Sequence, residues 1–171
     1  MADTKAAAND FAVVIAIDAS QQAEYAIKYY FEHLHKKKNK IVLVHVIELP
    51  DMAHARQVYL SPSALAELWK EEQEKCKRLQ EHLTDVIKSH GVTDVTLRTQ
   101  GGTKPGQVII ATATEEKASM IVIGTRGMGK IRRTVLGSVS DYVVHHSACP
   151  VIVVRHPNPP APASQTEEKS T

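Results

Sequence analysis

The sequence predicts a single α/β domain, an open parallel β-sheet with helices on both faces. Three observations carry this expectation. The chain has 171 residues, the usual size of one domain. Its 43% hydrophobic and 23% charged residues are enough for a sizeable core. Short runs rich in Val and Ile alternate along it with stretches of helical periodicity. Four of these runs, Phe11–Ile17, Ile41–Ile47, Met120–Ile123 and Val151–Val154, are continuous rather than alternating, with His45 the one polar residue in them. A strand needs that pattern when helices cover both faces of its sheet.

The elements follow in order. After the first strand, Ser20 is placed to cap a helix reaching about His35, with Ala23, Ala26, Ile27 and Tyr30 on its inner face. Lys36, Lys37, Lys38 and Lys40 come next and read as a solvated helix end favoured by the helix dipole. The second strand is Ile41–Ile47. Ser61-Pro62 then opens the longest helix, a capping residue followed by proline at the first helical position. Its inward stripe is Leu65, Leu68 or Trp69, Cys76, Leu79, Leu83, Val86 and Ile87, its outer face carries the pairs Glu71–Lys75 and Glu74–Arg78, and Gly91 ends it.

Val92–Arg98 alternates apolar and polar residues and is expected to be a half-covered edge strand. A third helix opens near Thr103–Pro105 and carries Val108, Ile109 and Ala113; a fourth begins at Gly137-Ser138 and carries Val139, Tyr142, Val143 and His146. Right-handed crossovers between such strands put helices on both faces. The domain is expected over 11–156, between a flexible N-terminus (1–10) and a disordered proline-rich tail (157–171).

Composition also excludes. A formal charge of +2 gives no global attraction to nucleic acid. Cys76 and Cys149 are far apart and form no metal or redox motif, which fits a reducing compartment. The first apolar run stops at Asp18, too short for a signal core or a membrane span. A cytoplasmic protein with no membrane partner is expected.

Four of the eight glycines, Gly124, Gly127, Gly129 and Gly137, fall in the stretch GTRGMGKIRRTVLGS, directly after the strand MIVI and running into the fourth helix. Glycines there let the backbone turn sharply and approach a ligand closely. Free N–H groups and the positive end of a helix at Gly137-Ser138 attract an anion. Ser138 adds a hydroxyl, and Arg126, Lys130, Arg132 and Arg133 add positive charge. Phosphate is the natural occupant; the alternative is a flexible loop that binds nothing. The stretch lacks both the P-loop pattern and the G-x-G-x-x-G spacing.

Gly124-x-x-Gly127, nine residues, then Gly137-Ser138 resembles the G-2x-G-9x-G-[ST] motif of the universal stress protein family, in its nucleotide-binding branch. Ala16–Ser20 (AIDAS), Leu43–Glu48 (LVHVIE) and Leu136–Arg155 extend the resemblance to about Phe11–Arg155. It implies a Rossmann-like five-stranded sheet of order 3-2-1-4-5, as in the adenine nucleotide alpha hydrolase-like folds. It also implies ATP or AMP as ligand. By the same resemblance Asp18 lies near the ribose, and the backbone of Val46 reads the adenine edge. Gly124, Gly127, Gly137 and Ser138 wrap ribose and phosphates, Val139 and Ser140 line the same turn, and Arg126 stands beside them. That strand order makes the first and fourth strands neighbours, so Asp18 and Gly124 emerge together at the switch point where open sheets bind ligands. Asp18 has a second reading, as part of the cap of the first helix, and Val46 has one as core.

Nine histidines show no metal-ligand spacing, so no protein-only metal site is expected. A Mg²⁺ ion riding on bound phosphates fits better. No G-x-S-x-G elbow is present. The last strand, apolar on both faces, lies at a sheet edge in the implied order and invites a homodimer. The resulting expectation is a nucleotide-dependent regulator of stress response without a substrate of its own; the alternative is a slow ATP hydrolase or other adenylate-handling enzyme.

Overall fold

Strands form where Val and Ile are densest: β1 (Ala12–Ile17), β2 (Lys40–Glu48), β3 (Val95–Gly102), β4 (Met120–Gly124) and β5 (Val151–Val154). The structure, a computed structural model, describes residues 11–48, 62–92, 94–125 and 136–157. Arg126, Gly127, Lys130, Arg132 and Arg133, the expected flexible N-terminus and all of the expected tail but Pro157 lie outside them. The sheet order is β3-β2-β1-β4-β5 with every pairing parallel, as expected.

Two cores follow from the pleat, which sends alternate side chains to opposite faces. Val13, Ile15 and Ile17 of β1 join Ile41, Leu43 and Val122 on one face, under α1 (Gln21–Tyr29) and α2 (Pro62–Ser89). Val14 and Ala16 join Val42, Val44, Ile121 and Ile123 on the other, under α3 (Pro105–Glu115) and α4 (Ser138–His146). All six residues of β1 are buried, which explains why its sequence shows no alternation.

Each helix starts and stops for a local reason. Ser20 caps α1 by accepting from the Ala23 N–H (3.2 Å). The helix widens into a π-helical turn over Tyr30–Leu34 before ending at His35. Tyr30 is fully buried, and its hydroxyl accepts from Asn39 Nδ2 (2.9 Å). α2 buries Cys76, Leu83 and Ile87 and stops at Gly91, whose φ of 72° suits glycine. Of its expected stripe, the side chains of Leu65, Leu68 and Trp69 lie outside the described residues. Lys75 bonds Glu72 (2.6 Å) rather than Glu71, taking the i,i+3 neighbour in place of i,i+4.

One boundary is corrected. The third strand was expected over Val92–Arg98; it runs over Val95–Gly102. Its register is set by β2, which pairs Ile41 with Val95 and continues to Glu48 with Gly102. The two glycines that look like a loop extend the ladder. At Gly102 an added Cβ would lie 2.7 Å from Val108 Cγ2, so the bare Cα lets α3 cross closely over the edge strand.

A charge cluster closes the end of α3. Glu116, with its side chain 7% exposed, meets Lys40 Nζ (2.7 Å) and Arg98 Nη2 (2.5 Å), while Arg98 Nη1 reaches Glu115 (2.8 Å). The hydrogen bond from Lys40 holds the Glu116 carboxyl below its ordinary 4.5, with burial opposing and Arg98 assisting. A carboxyl depressed in the fold stabilises above its unfolded value and loses that contribution as pH falls through the folded one. Glu116→Gln is therefore expected to be less stable than wild type near neutral pH, and to lose less on acidification below about pH 4.5. Urea unfolding across that range checks it; parallel curves for the two proteins would remove the ion cluster from the acid response.

Candidate functional site

The site is built where the sheet opens. β1 and β4 pair only as far as Ile15 with Val122, whereas β1 stays paired with β2 to Ile17 and His45, and β4 with β5 to Gly124 and Val154. The carboxyl ends of β1 and β4 thus leave a crevice at the point where the chain order reverses, the usual ligand position in such sheets.

On the β1 side, the Asp18 carboxylate accepts from the Ser20 N–H (3.0 Å) and from the Ser20 hydroxyl. The capping role weighed for Asp18 is therefore present. It engages Oδ1 and holds the half-buried side chain at the crevice. Next to it, His45 Nδ1 lies 3.2 Å from the Ile17 carbonyl and ties the end of β1 to β2. Val46 follows at the same edge, paired with Gln100; its side chain packs on the α3/α4 core, leaving only its backbone for a base.

On the β4 side, Gly124 lies against the start of α1: an added Cβ would meet Gln22 C and O at 3.0 Å. The Thr125 N–H donates to the Val154 carbonyl (3.0 Å). The Thr125 carbonyl accepts from the Gly137 N–H (2.7 Å) and lies within reach of the Ser140 hydroxyl (3.0 Å). Ser140 Oγ in turn accepts from the Gly137 N–H (3.0 Å). Chain leaving the sheet at Thr125 is thereby stitched to chain entering α4 at Gly137.

The expected site residues then separate by role. Asp18, the Val46 backbone, Gly124, Gly137 and the exposed Ser138 gather at the carboxyl edge. Val139 packs its side chain into the α3/α4 core. Ser140 is 2% exposed and its hydroxyl is committed to the backbone, so it braces the turn from behind. Arg126 and Gly127 lie outside the described residues.

The two helices that start at this edge differ. α1 has a serine cap that satisfies a first-turn N–H, whereas α4 begins at Gly137, which has no side chain to offer its first turn, and Ser140 takes only the N–H of Gly137 itself. Its first-turn N–H groups and positive pole remain suited to an anion. No group of three potential metal ligands occurs among the described residues, and no helix there is long and apolar enough to cross a membrane.

A model of the universal stress protein family matches residues 12–155. A Staphylococcus aureus (strain USA300) protein named for that family is 30% identical over 153 residues, covering 87% of this chain and 86% of the relative. The universal stress protein UspA from Lactobacillus plantarum superposes with a TM-score of 0.71 at 20% identity, over 87% of this chain and all of that one (100%). A family protein from Arabidopsis thaliana, solved with AMP bound, superposes with a TM-score of 0.61 at 21% identity, over 91% and 96% of the two chains.

Proposed function

The chain belongs to the universal stress protein family, and from that premise we propose that it binds an adenine nucleotide, ATP or AMP, in the crevice between β1 and β4. The observation that carries the reading is the uncapped first turn of α4, stitched through Gly137 to the end of β4 and opening beside Asp18. Phosphates take the N–H groups of that turn, with the Ser138 hydroxyl adding a donor and the basic residues that follow β4 in sequence, Arg126 among them, adding charge. Asp18 takes the ribose, the Val46 backbone the adenine edge, and Gly124 and Gly127 let the chain lie close to the sugar and phosphates. The AMP held by the Arabidopsis relative supports an adenine nucleotide as the class of ligand. A Mg²⁺ ion would ride on the phosphates of ATP.

The nucleotide acts as a signal in this reading. Occupancy biases the chain's conformation or partner choice in stress response, and a homodimer forms through the β5 edge. The alternative activity, slow ATP hydrolysis, needs a general base by the phosphates; Asp18, the carboxylate at the end of β1, is already bound to Ser20.

One preparation tests these points. Purified protein is denatured and any released nucleotide identified by mass, and fresh protein is incubated with ATP and passed through light scattering at micromolar concentration. Retained, unhydrolysed ATP or AMP in a dimer is the expected result. Steady turnover would replace the regulator with the enzyme, a clean monomer would remove the dimer, and failure to bind either nucleotide would refute the site.

A further inference from the structure

Gln22 sits in the first turn of α1, immediately after the Asp18–Ser20 turn. Glutamine at a helix start is ordinarily solvated, as its neighbour Gln21 is. Gln22 is only 9% exposed. It lies at the mouth of the crevice, where its backbone and Cβ wall off the space above Gly124; a Cβ added there would stand 3.2 Å from the Gln22 Cβ.

Its carboxamide is treated differently from two of the three other buried polar side chains. Ser140 and Thr112, also buried, have their hydroxyls bonded within the protein. Every fully enclosed side-chain nitrogen or oxygen among the described residues has a partner. The Gln22 carboxamide has none among them, so its oxygen and nitrogen keep contact with solvent while the rest of the residue is enclosed. An enclosed residue with an open polar tip, its backbone and Cβ packed at the end of β4, is the disposition of a group that meets a ligand.

We propose that Gln22 is a further nucleotide-binding residue, whose carboxamide hydrogen-bonds the ribose hydroxyls of a nucleotide held between β1 and β4. The inference rests on the adenine-nucleotide reading above and adds the side chain that recognises the sugar. The chemistry divides cleanly. A vicinal diol offers donors and acceptors, whereas Asp18 can only accept and already spends Oδ1 on Ser20. The carboxamide supplies the missing donor together with one more acceptor. Phosphate oxygens, which only accept, are served by the α4 turn. Gln22 thus makes the crevice selective for ribonucleotides over their deoxy counterparts, because a buried amide left without its hydroxyl partner disfavours the deoxy ligand.

The test titrates ATP, 2′-deoxy-ATP and 3′-deoxy-ATP against the full chain, as wild type, Gln22→Met and Gln22→Glu. Wild type is expected to prefer ATP to at least one deoxy analogue by about tenfold, the equivalent of ~1.4 kcal/mol. Gln22→Met keeps a stem of similar length against Gly124, so its melting temperature stays close to wild type. It loses about tenfold in ATP affinity and most of the ribo/deoxy preference. Gln22→Glu, nearly isosteric, keeps the shape and loses the donor, so it also weakens ATP and narrows the preference. Equal binding of all three ligands by wild type overturns the sugar assignment. Unchanged affinity and preference in both variants removes Gln22 from the site while leaving the nucleotide reading intact. A wild type that binds none of the three overturns that reading and this inference with it.

Discussion

Gly124→Val is expected to lower the unfolding free energy by about 1–3 kcal/mol and to abolish retention of adenine nucleotide in the same protein. The reason is packing. The Cβ of any residue at Gly124 would stand 3.0 Å from both the carbonyl carbon and the carbonyl oxygen of Gln22. Those are backbone atoms of a helix anchored at one end by the Ser20 cap and along its length by the buried Ala23, Ala26, Ile27 and Tyr30. Nothing in that contact can swing aside, so α1 must lift from the sheet or the end of β4 must tilt away. Valine adds two methyl groups to the conflict; Gly124→Ala is the milder form.

Either movement disturbs the ligand, because the turn carrying Asp18 leads into α1 and the stitch to Gly137 begins at Thr125. Gly91 provides the contrast. It has φ +72° and nothing within 4 Å of an added Cβ, so substitution there costs backbone strain alone and leaves nucleotide binding unchanged. Urea unfolding and ATP titration of Gly124→Val check both halves. A variant with an unchanged midpoint would show that α1 yields freely, and one that still holds ATP would separate Gly124 from the site.

The fold was legible because its strongest signal is unambiguous. A strand such as β1, buried at all six positions, has to be apolar throughout, and the chain offers few such runs. The edge strand was less so. Its limits are decided by where β2 offers a partner, through the pairs from Ile41–Val95 to Glu48–Gly102, and that register is not written in β3 itself. Two glycines at its end have the local look of a turn, and the close approach of Val108 to Gly102 appears only once α3 has folded back over the strand.

The candidate site divides along the same line. Asp18, Gly124, Gly137 and Ser138 could be marked from sequence because strand ends, glycines and helix starts have local signatures. Ser140 could be assigned to the right turn, but only the geometry shows its hydroxyl bonded behind the turn. Gln22 was not singled out. It shares the inner i,i+4 row with the buried Ala26 and Tyr30, but what a glutamine there meets is decided by the end of β4, which no local pattern records. Gly124 itself was marked for a ligand's approach, and the structure gives it a second duty, as the flat spot on which α1 rests.

The stitch at Ser140 leads to the second large effect. Ser140→Val is expected to cost about 2–3 kcal/mol of stability and to weaken ATP by roughly a hundredfold, more than removal of the exposed Ser138 hydroxyl. The Ser140 oxygen lies 3.0 Å from each of three backbone atoms: the Gly137 N–H, the Gly137 carbonyl and the Thr125 carbonyl. Its single proton goes to one of the two carbonyls or is shared between them, and a lone pair accepts from the Gly137 N–H, so the hydroxyl both donates and accepts within the turn. Valine removes the donor and acceptor and forces methyl groups into a position 2% exposed, against the backbones of Thr125 and Gly137.

Gly137 would still find the Thr125 carbonyl at 2.7 Å, so the turn would loosen without unfolding. The first turn of α4 would then point its N–H groups less tightly at the crevice. Ser140→Ala separates the two causes. It deletes the bonds without the crowding and is expected to cost about 1 kcal/mol of stability with a smaller loss of affinity. ATP titration of Ser138→Ala, Ser140→Ala and Ser140→Val against urea unfolding of the same proteins ranks them. Should Ser138→Ala prove the most damaging to binding and Ser140→Val the least, phosphate would be held by hydroxyls and not by the braced backbone of α4.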